Sequence, residues 1–172
     1  MKLFEIRVEP YPYQTKKHKE NPDKYYLVST FTSTDGSEIN VEFLVNIGDE
    51  VTISFKRDGS YNLIGKGDQY KILFTVKDII EKYLFELSEQ VSYVSFSADM
   101  KEPSRVKLYT KRVVPIINSI LGSKWIGPEI KEVFGDQEYM WKNKDAKLPF
   151  RFDPDEQDDD YEDPYDDDEE DW

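Results

Sequence analysis

The sequence predicts an α+β fold: an antiparallel meander sheet, then helix, strand and helix, then an acidic C-terminal tail that is disordered or docked. Three observations carry that expectation. Apolar and polar residues alternate through the N-terminal part of the chain, the apolar spacing changes to that of one helix face in the middle, and negative charge collects after residue 152.

The strands come first. LFEIRVE sets Phe4, Ile6 and Val8 on one side and Glu5, Arg7 and Glu9 on the other, the period of a half-buried strand. Tyr25–Ser33 is rich in aromatic and β-branched residues and runs into Asp35-Gly36, a tight-turn signal. EINVEFLV alternates again, with Ile39, Val41, Phe43 and Val45 on one face, and VTISFKRDGSYNLI reads as two strands joined at Asp58-Gly59. In TVKDIIEKYLFELS the period changes: Val76, Ile79, Ile80, Tyr83, Leu84 and Leu87 fall on one helix face, and Thr75 with Asp78 reads as a capping box. VSYVSFSA is a short buried strand. A second helix is expected from Pro103, with Val106, Tyr109, Val113, Ile116, Ile117 and Ile120 inward, a kink at Pro115 and a stop at Gly122. Glu138–Trp141 reads as a last strand.

Charge divides the chain more sharply than any motif. There are 36 acidic and 23 basic residues, a net charge of −13. Fourteen of the acids lie between Asp153 and Trp172, where there is no Lys or Arg, so the rest of the chain is near neutral. The expected organisation is a globular domain over 1–150 and an acidic tail over 151–172. Such a segment buries too little apolar surface to offset its ordering entropy, so free in solution it is extended. A solubilising tail has no use for a large aromatic, whereas a docking peptide does. The candidate partner-binding residues are therefore Asp158, Asp159, Asp160, Tyr161, Tyr165, Asp166, Asp167, Asp168, Glu169, Glu170, Asp171 and Trp172.

Composition excludes much chemistry. With no cysteine there is no disulfide scaffold, thiol nucleophile or Cys-based zinc site. With His18 as the single histidine there is no His-based metal cage and no Ser-His-Asp triad. No segment approaches the ~18 apolar residues of a membrane span, which leads us to expect a cytoplasmic protein. No metal or cofactor is expected.

Two clusters suggest binding instead. YPYQTKKHKENPDKYY interleaves four tyrosines, Tyr11, Tyr13, Tyr25 and Tyr26, with Lys16, Lys17, Lys19 and Lys24, a mixture that stacks bases and holds phosphates on single-stranded nucleic acid. The second helix adds Arg105, Lys107, Lys111 and Arg112 away from its apolar stripe. The plain alternatives are a polar loop between strands and an ordinary solvated helix face.

The element order resembles the GCN5-related N-acetyltransferase fold. More narrowly, GKGDQYKILFTVKDIIEKYL with VSFSADMKEPSRVKLYTKRV resembles a group of small bacteriophage proteins. The acetyltransferase resemblance implies a Q/R-x-x-G-x-G/A loop opening the helix after the fourth strand, its backbone N–H groups on a cofactor pyrophosphate. With that helix starting at Thr75, Phe74–Asp78 occupy the place without glycine, and Gly65-Lys66-Gly67 reads as a hairpin turn. Tyr109 matches the position of an acid-catalytic tyrosine and also falls on the apolar stripe. The tail with its aromatic tip resembles those of bacterial and phage single-stranded DNA-binding proteins, which implies competition between tail and DNA.

The expected function is thus that of a non-enzymatic phage binding protein acting through its tail. The favoured context is single-stranded DNA or a DNA-handling partner, with a basic groove receiving the tail in cis or in trans. Rival readings are a DNA mimic aimed at a host polymerase or nuclease, a virion component that forms a homo-oligomer, and, from the fold resemblance alone, a GCN5-related N-acetyltransferase.

Overall fold

The computed structural model describes residues 9–57, 69–99 and 103–145. The expected strand at Phe4–Val8, the strand after Asp58-Gly59, the Gly65-Lys66-Gly67 turn and the acidic tail lie outside the described residues. The alternation read from the sequence becomes strands β1 (Gln14–Asn21), β2 (Lys24–Thr32), β3 (Glu38–Asn46) and β4 (Glu50–Arg57). Helix α1 (Gln69–Ser88) leads to β5 (Tyr93–Asp99), then α2 (Pro103–Leu108), a π-helical turn (Tyr109–Val113) and α3 (Val114–Leu121). A 3-10 turn (Gly122–Lys124) leads to β6 (Trp125–Val133) and β7 (Asp136–Asn143).

These strands form one seven-stranded sheet in the order β1-β2-β3-β4-β5-β7-β6. Every pairing is antiparallel except β4 with β5, which α1 joins as a crossover. Ile39, Val41, Phe43 and Val45 are all fully buried on the face that α1 covers. Through Ile72, Val76, Ile79, Ile80 and Leu84, α1 closes the core over them. Phe96 of β5 lies at the centre, stacked on Tyr139 at 4.5 Å and Trp141 at 5.9 Å, with the edge of Phe55 at 6.2 Å.

The capping box at Thr75 and Asp78 is not formed, because α1 begins at Gln69 and both residues lie in its interior. The Thr75 hydroxyl instead donates to the Lys71 carbonyl at 2.7 Å and accepts the buried Tyr11 N–H at 2.9 Å. The second helix also departs from a simple kink. Pro115 lacks an N–H, and its ring crowds the carbonyl four residues back, so the ladder opens upstream as the π turn. The wider turn rotates α3 about its axis: Val114, Ile117 and Leu121 point inward, while Ile116 and Ile120 are only half-buried.

Strand β6 was not expected from the sequence. It is an edge strand, where proline is tolerated, with a register shift between Ile126 and Glu129. A Cβ at Gly127 (φ +133°) would meet the Met140 carbonyl oxygen at 2.8 Å, so only glycine fits there. Phe134 (φ 51°) and Gly135 (φ 84°) make the β6–β7 turn, both left-handed, as a two-residue hairpin requires.

Candidate functional site

Of the residues read as a basic loop, those from Lys16 to Tyr26 lie in the β1–β2 hairpin at the sheet edge and Tyr11 and Tyr13 just before it, and most of the rings are committed to the fold. Tyr11 is buried and stacked on Phe31 at 5.8 Å, and its hydroxyl shares a hydrogen bond with Thr34 at 2.6 Å. Tyr25 is buried and donates to Gln90 Oε1 at 2.9 Å. Tyr13 is half-buried and donates to Asp78 Oδ2 at 2.9 Å. Burial first, then that hydrogen bond, push its phenol up to about 12, so at neutral pH it is a donor and no base. These rings serve packing, which removes the stacking platform expected of them.

The lysines of β1 are divided by the pleat. Lys17 and Lys19 pair with Leu27 and Tyr25 and share their face, with Lys17 Nζ 4.3 Å from the Tyr25 ring centre. Lys16, opposite Val28, points to the other face. All three are exposed, whereas Lys24 is half-buried and paired with Glu20 at 3.2 Å. A wide depression of about 570 Å³ beside Pro12–Gln14 and Thr30–Thr32 carries no charged lining residue.

The second cationic cluster has a more definite shape. Where the first turns of α1 meet the π turn and the start of α3 there is an open groove of about 350 Å³. Tyr70, Leu73, Phe74 and Lys77 line it from α1, and Lys111, Arg112, Pro115 and Ile116 from the other side. Tyr70 is 78 % exposed and Phe74 38 %, unusual for large rings beside a helix seam. Lys111 and Arg112 are exposed and have no ion-pair partner among the described residues. Lys77 lies 3.7 Å from Glu81 in a half-exposed pair, which leaves its charge available. Lys107 is exposed on α2, and the side chain of Arg105 lies outside the described residues, as does that of Tyr109.

The π turn is what brings Lys111 and Arg112 to this groove, with the Thr110 hydroxyl tied to the Tyr139 hydroxyl at 2.7 Å. Sequence reading found the two cations but not Tyr70, Phe74 or Lys77. The available signal was that Phe74 falls off the apolar stripe of α1. Among the described residues, no group of three or more His, Asp or Glu is placed to hold a metal ion. No described helix is long and apolar enough to cross a membrane. The groove offers flat apolar rings beside cations, a chemistry that suits an anionic ligand with planar or apolar groups.

No protein-family model, curated protein or solved structure matches this chain.

Proposed function

We propose that this is a non-enzymatic binding protein of bacteriophage origin, holding an anionic ligand in the groove between α1 and α3. Single-stranded DNA, or a partner that handles it, is the favoured context, and the acidic segment 153–172 is the competing or recruiting element. The observation that supports this reading is the placement of Lys111 and Arg112 opposite the exposed rings of Tyr70 and Phe74. Cations track a phosphate backbone while rings accept bases of any sequence. The cluster on β1 contributes Lys16, Lys17 and Lys19 as accessory charge rather than as a stacking surface.

The experiment is a fluorescence-anisotropy titration of a labelled single-stranded oligonucleotide with the full chain and with Lys111→Glu/Arg112→Glu. Salt-sensitive binding that weakens at least tenfold in the double reversal is expected, since each lost phosphate contact flattens the single-strand salt slope by about 0.7. Absence of binding sinks this reading and turns attention to the rival ones. A DNA mimic is then recovered on a host polymerase or nuclease, and a virion component in purified particles.

A second reading is favoured by one specific observation. Because α1 starts at Gln69, Asn62-x-x-Gly65-x-Gly67 ends just before the helix, and no acid occupies its first turn. Those two facts weaken the sequence argument against a pyrophosphate loop there, while Asn62 stands where the acetyltransferase pattern has Gln or Arg. With the parallel β4–β5 pair and β7 between β5 and β6, they support an acetyltransferase-like topology and a coenzyme A-type cofactor. Calorimetric titration with acetyl-coenzyme A separates the readings: binding favours the second, and silence together with oligonucleotide binding favours the first.

A further inference from the structure

We infer that the groove between α1 and α3 is the receptor for this chain's own acidic segment, with the Trp172 indole seated among the exposed rings and the flanking carboxylates on Lys111 and Arg112. The inference deepens the proposed function and rests on its reading of the groove. Charge is the first support. The segment from Asp153 to Trp172 holds fourteen acids and no base, and its aromatics are Tyr161, Tyr165 and Trp172. The groove is its chemical complement: cations from the π turn, apolar rings from α1 and Ile116 from α3.

Reach is the second support. The last described residues lie beside the turn that follows α3, where the Lys144 N–H donates to the Lys124 carbonyl at 2.8 Å. From Lys124 back to Arg112 the chain is largely helical, so the groove lies about 18 Å away at ~1.5 Å per residue. The stretch of about 27 residues from Asp145 to Trp172 has a maximum reach of about 90 Å, set by covalent geometry alone. The tether therefore spans the distance without strain and holds the indole near the groove at an effective concentration in the millimolar range. A weak intrinsic affinity suffices for docking in cis, and screening by salt releases it.

The test uses the full chain labelled with 5-fluorotryptophan, whose three resonances are Trp125, Trp141 and Trp172, the last assigned by Trp172→Phe. At low salt the Trp172 resonance is expected away from the position of a free peptide of residues 153–172, independent of protein concentration. It should move to that position in about 0.5 M salt, and in Lys111→Glu/Arg112→Glu, while the Trp141 resonance stays fixed and reports an intact fold. A Trp172 resonance already at the free-peptide position at low salt overturns the inference, as does one that the double reversal leaves unmoved. Docking that vanishes on dilution together with a dimeric mass overturns the cis arrangement in favour of exchange between copies. Oligonucleotide binding is scored separately. A docked Trp172 in a protein that ignores DNA leaves this inference standing and removes the DNA context.

Discussion

Replacing Phe96 by leucine tests the aromatic packing at the centre of the core. Phe96 is 1 % exposed and touches Tyr139, Trp141 and Phe55, with ring centres at 4.5, 5.9 and 6.2 Å. Leucine keeps most of the apolar area but is smaller than phenylalanine, so the transfer and cavity terms of this modest truncation cost about 1–1.5 kcal/mol. Each aromatic pair contributes about 0.5–1.5 kcal/mol beyond area burial, and three pairs sharing one ring are not additive. The expected loss is therefore about 2–3 kcal/mol. At about 2–4 °C per kcal/mol for a domain of this size, Tm falls by roughly 4–12 °C. Urea unfolding followed by circular dichroism measures it, and an unchanged m-value shows that the states compared are the same. Phe85→Leu is the control, since Phe85 is 55 % exposed and its replacement should stay within about 0.5 kcal/mol. A loss below about 1 kcal/mol for Phe96→Leu would mean that the aromatic stack is not what holds β5 to β7.

Further expectations concern single contacts. Thr75→Val orphans the buried Tyr11 N–H and should cost about 1–3 kcal/mol while speeding exchange of that amide; unchanged protection contradicts the contact. Because the Tyr13 phenol is raised to about 12, its contribution to stability is present below pH ~10 and lost as pH climbs towards that value. Tyr13→Phe should remove this part of the alkaline dependence, and an absorbance titration showing every tyrosine ionising together near pH ~10 would refute it. Asp35 accepts the Ser33 hydroxyl at 2.6 Å and the Ser37 N–H at 2.9 Å and pairs with Arg57, which holds its carboxyl well below the usual carboxylate range. Its lowered value in the fold means that stability is lost as pH falls below ~4, so Asp35→Asn should flatten the acid limb; identical acid unfolding of the two chains argues against it.

Legibility in the sequence depends on which signals are local. Strands β2 to β4 were readable because one face of each is buried, and burial on one face imposes strict alternation on residues such as Ile39, Val41, Phe43 and Val45, whereas β5, where Tyr93, Val94, Ser95 and Phe96 are all buried, reads as a short apolar run. The start of α1 was not, because Tyr70-Lys71-Ile72-Leu73-Phe74 mixes inward Ile72 with outward Phe74 and lacks a clear helical stripe. Strand β6 escaped notice because Gly127-Pro128 reads as a loop and an edge strand needs no continuous apolar face. Tyrosine was the most ambiguous letter in the candidate site. Its ring can close a core while its hydroxyl finds a partner, as Tyr11, Tyr13 and Tyr25 do here, or it can stand exposed as Tyr70 does. Only the fold distinguishes the two uses. The groove itself was invisible because it joins residues from two helices, and the π turn that orients Lys111 and Arg112 has no sequence signature beyond the Pro115 that comes after it.

The most direct test of tail-regulated binding compares the full chain with one ending at Phe152 for affinity towards the same labelled single-stranded oligonucleotide. Competition between tail and DNA predicts tighter binding once the acidic segment is gone, with a steep fall as salt rises. Equal affinity of the two forms, or no binding by either, would contradict it.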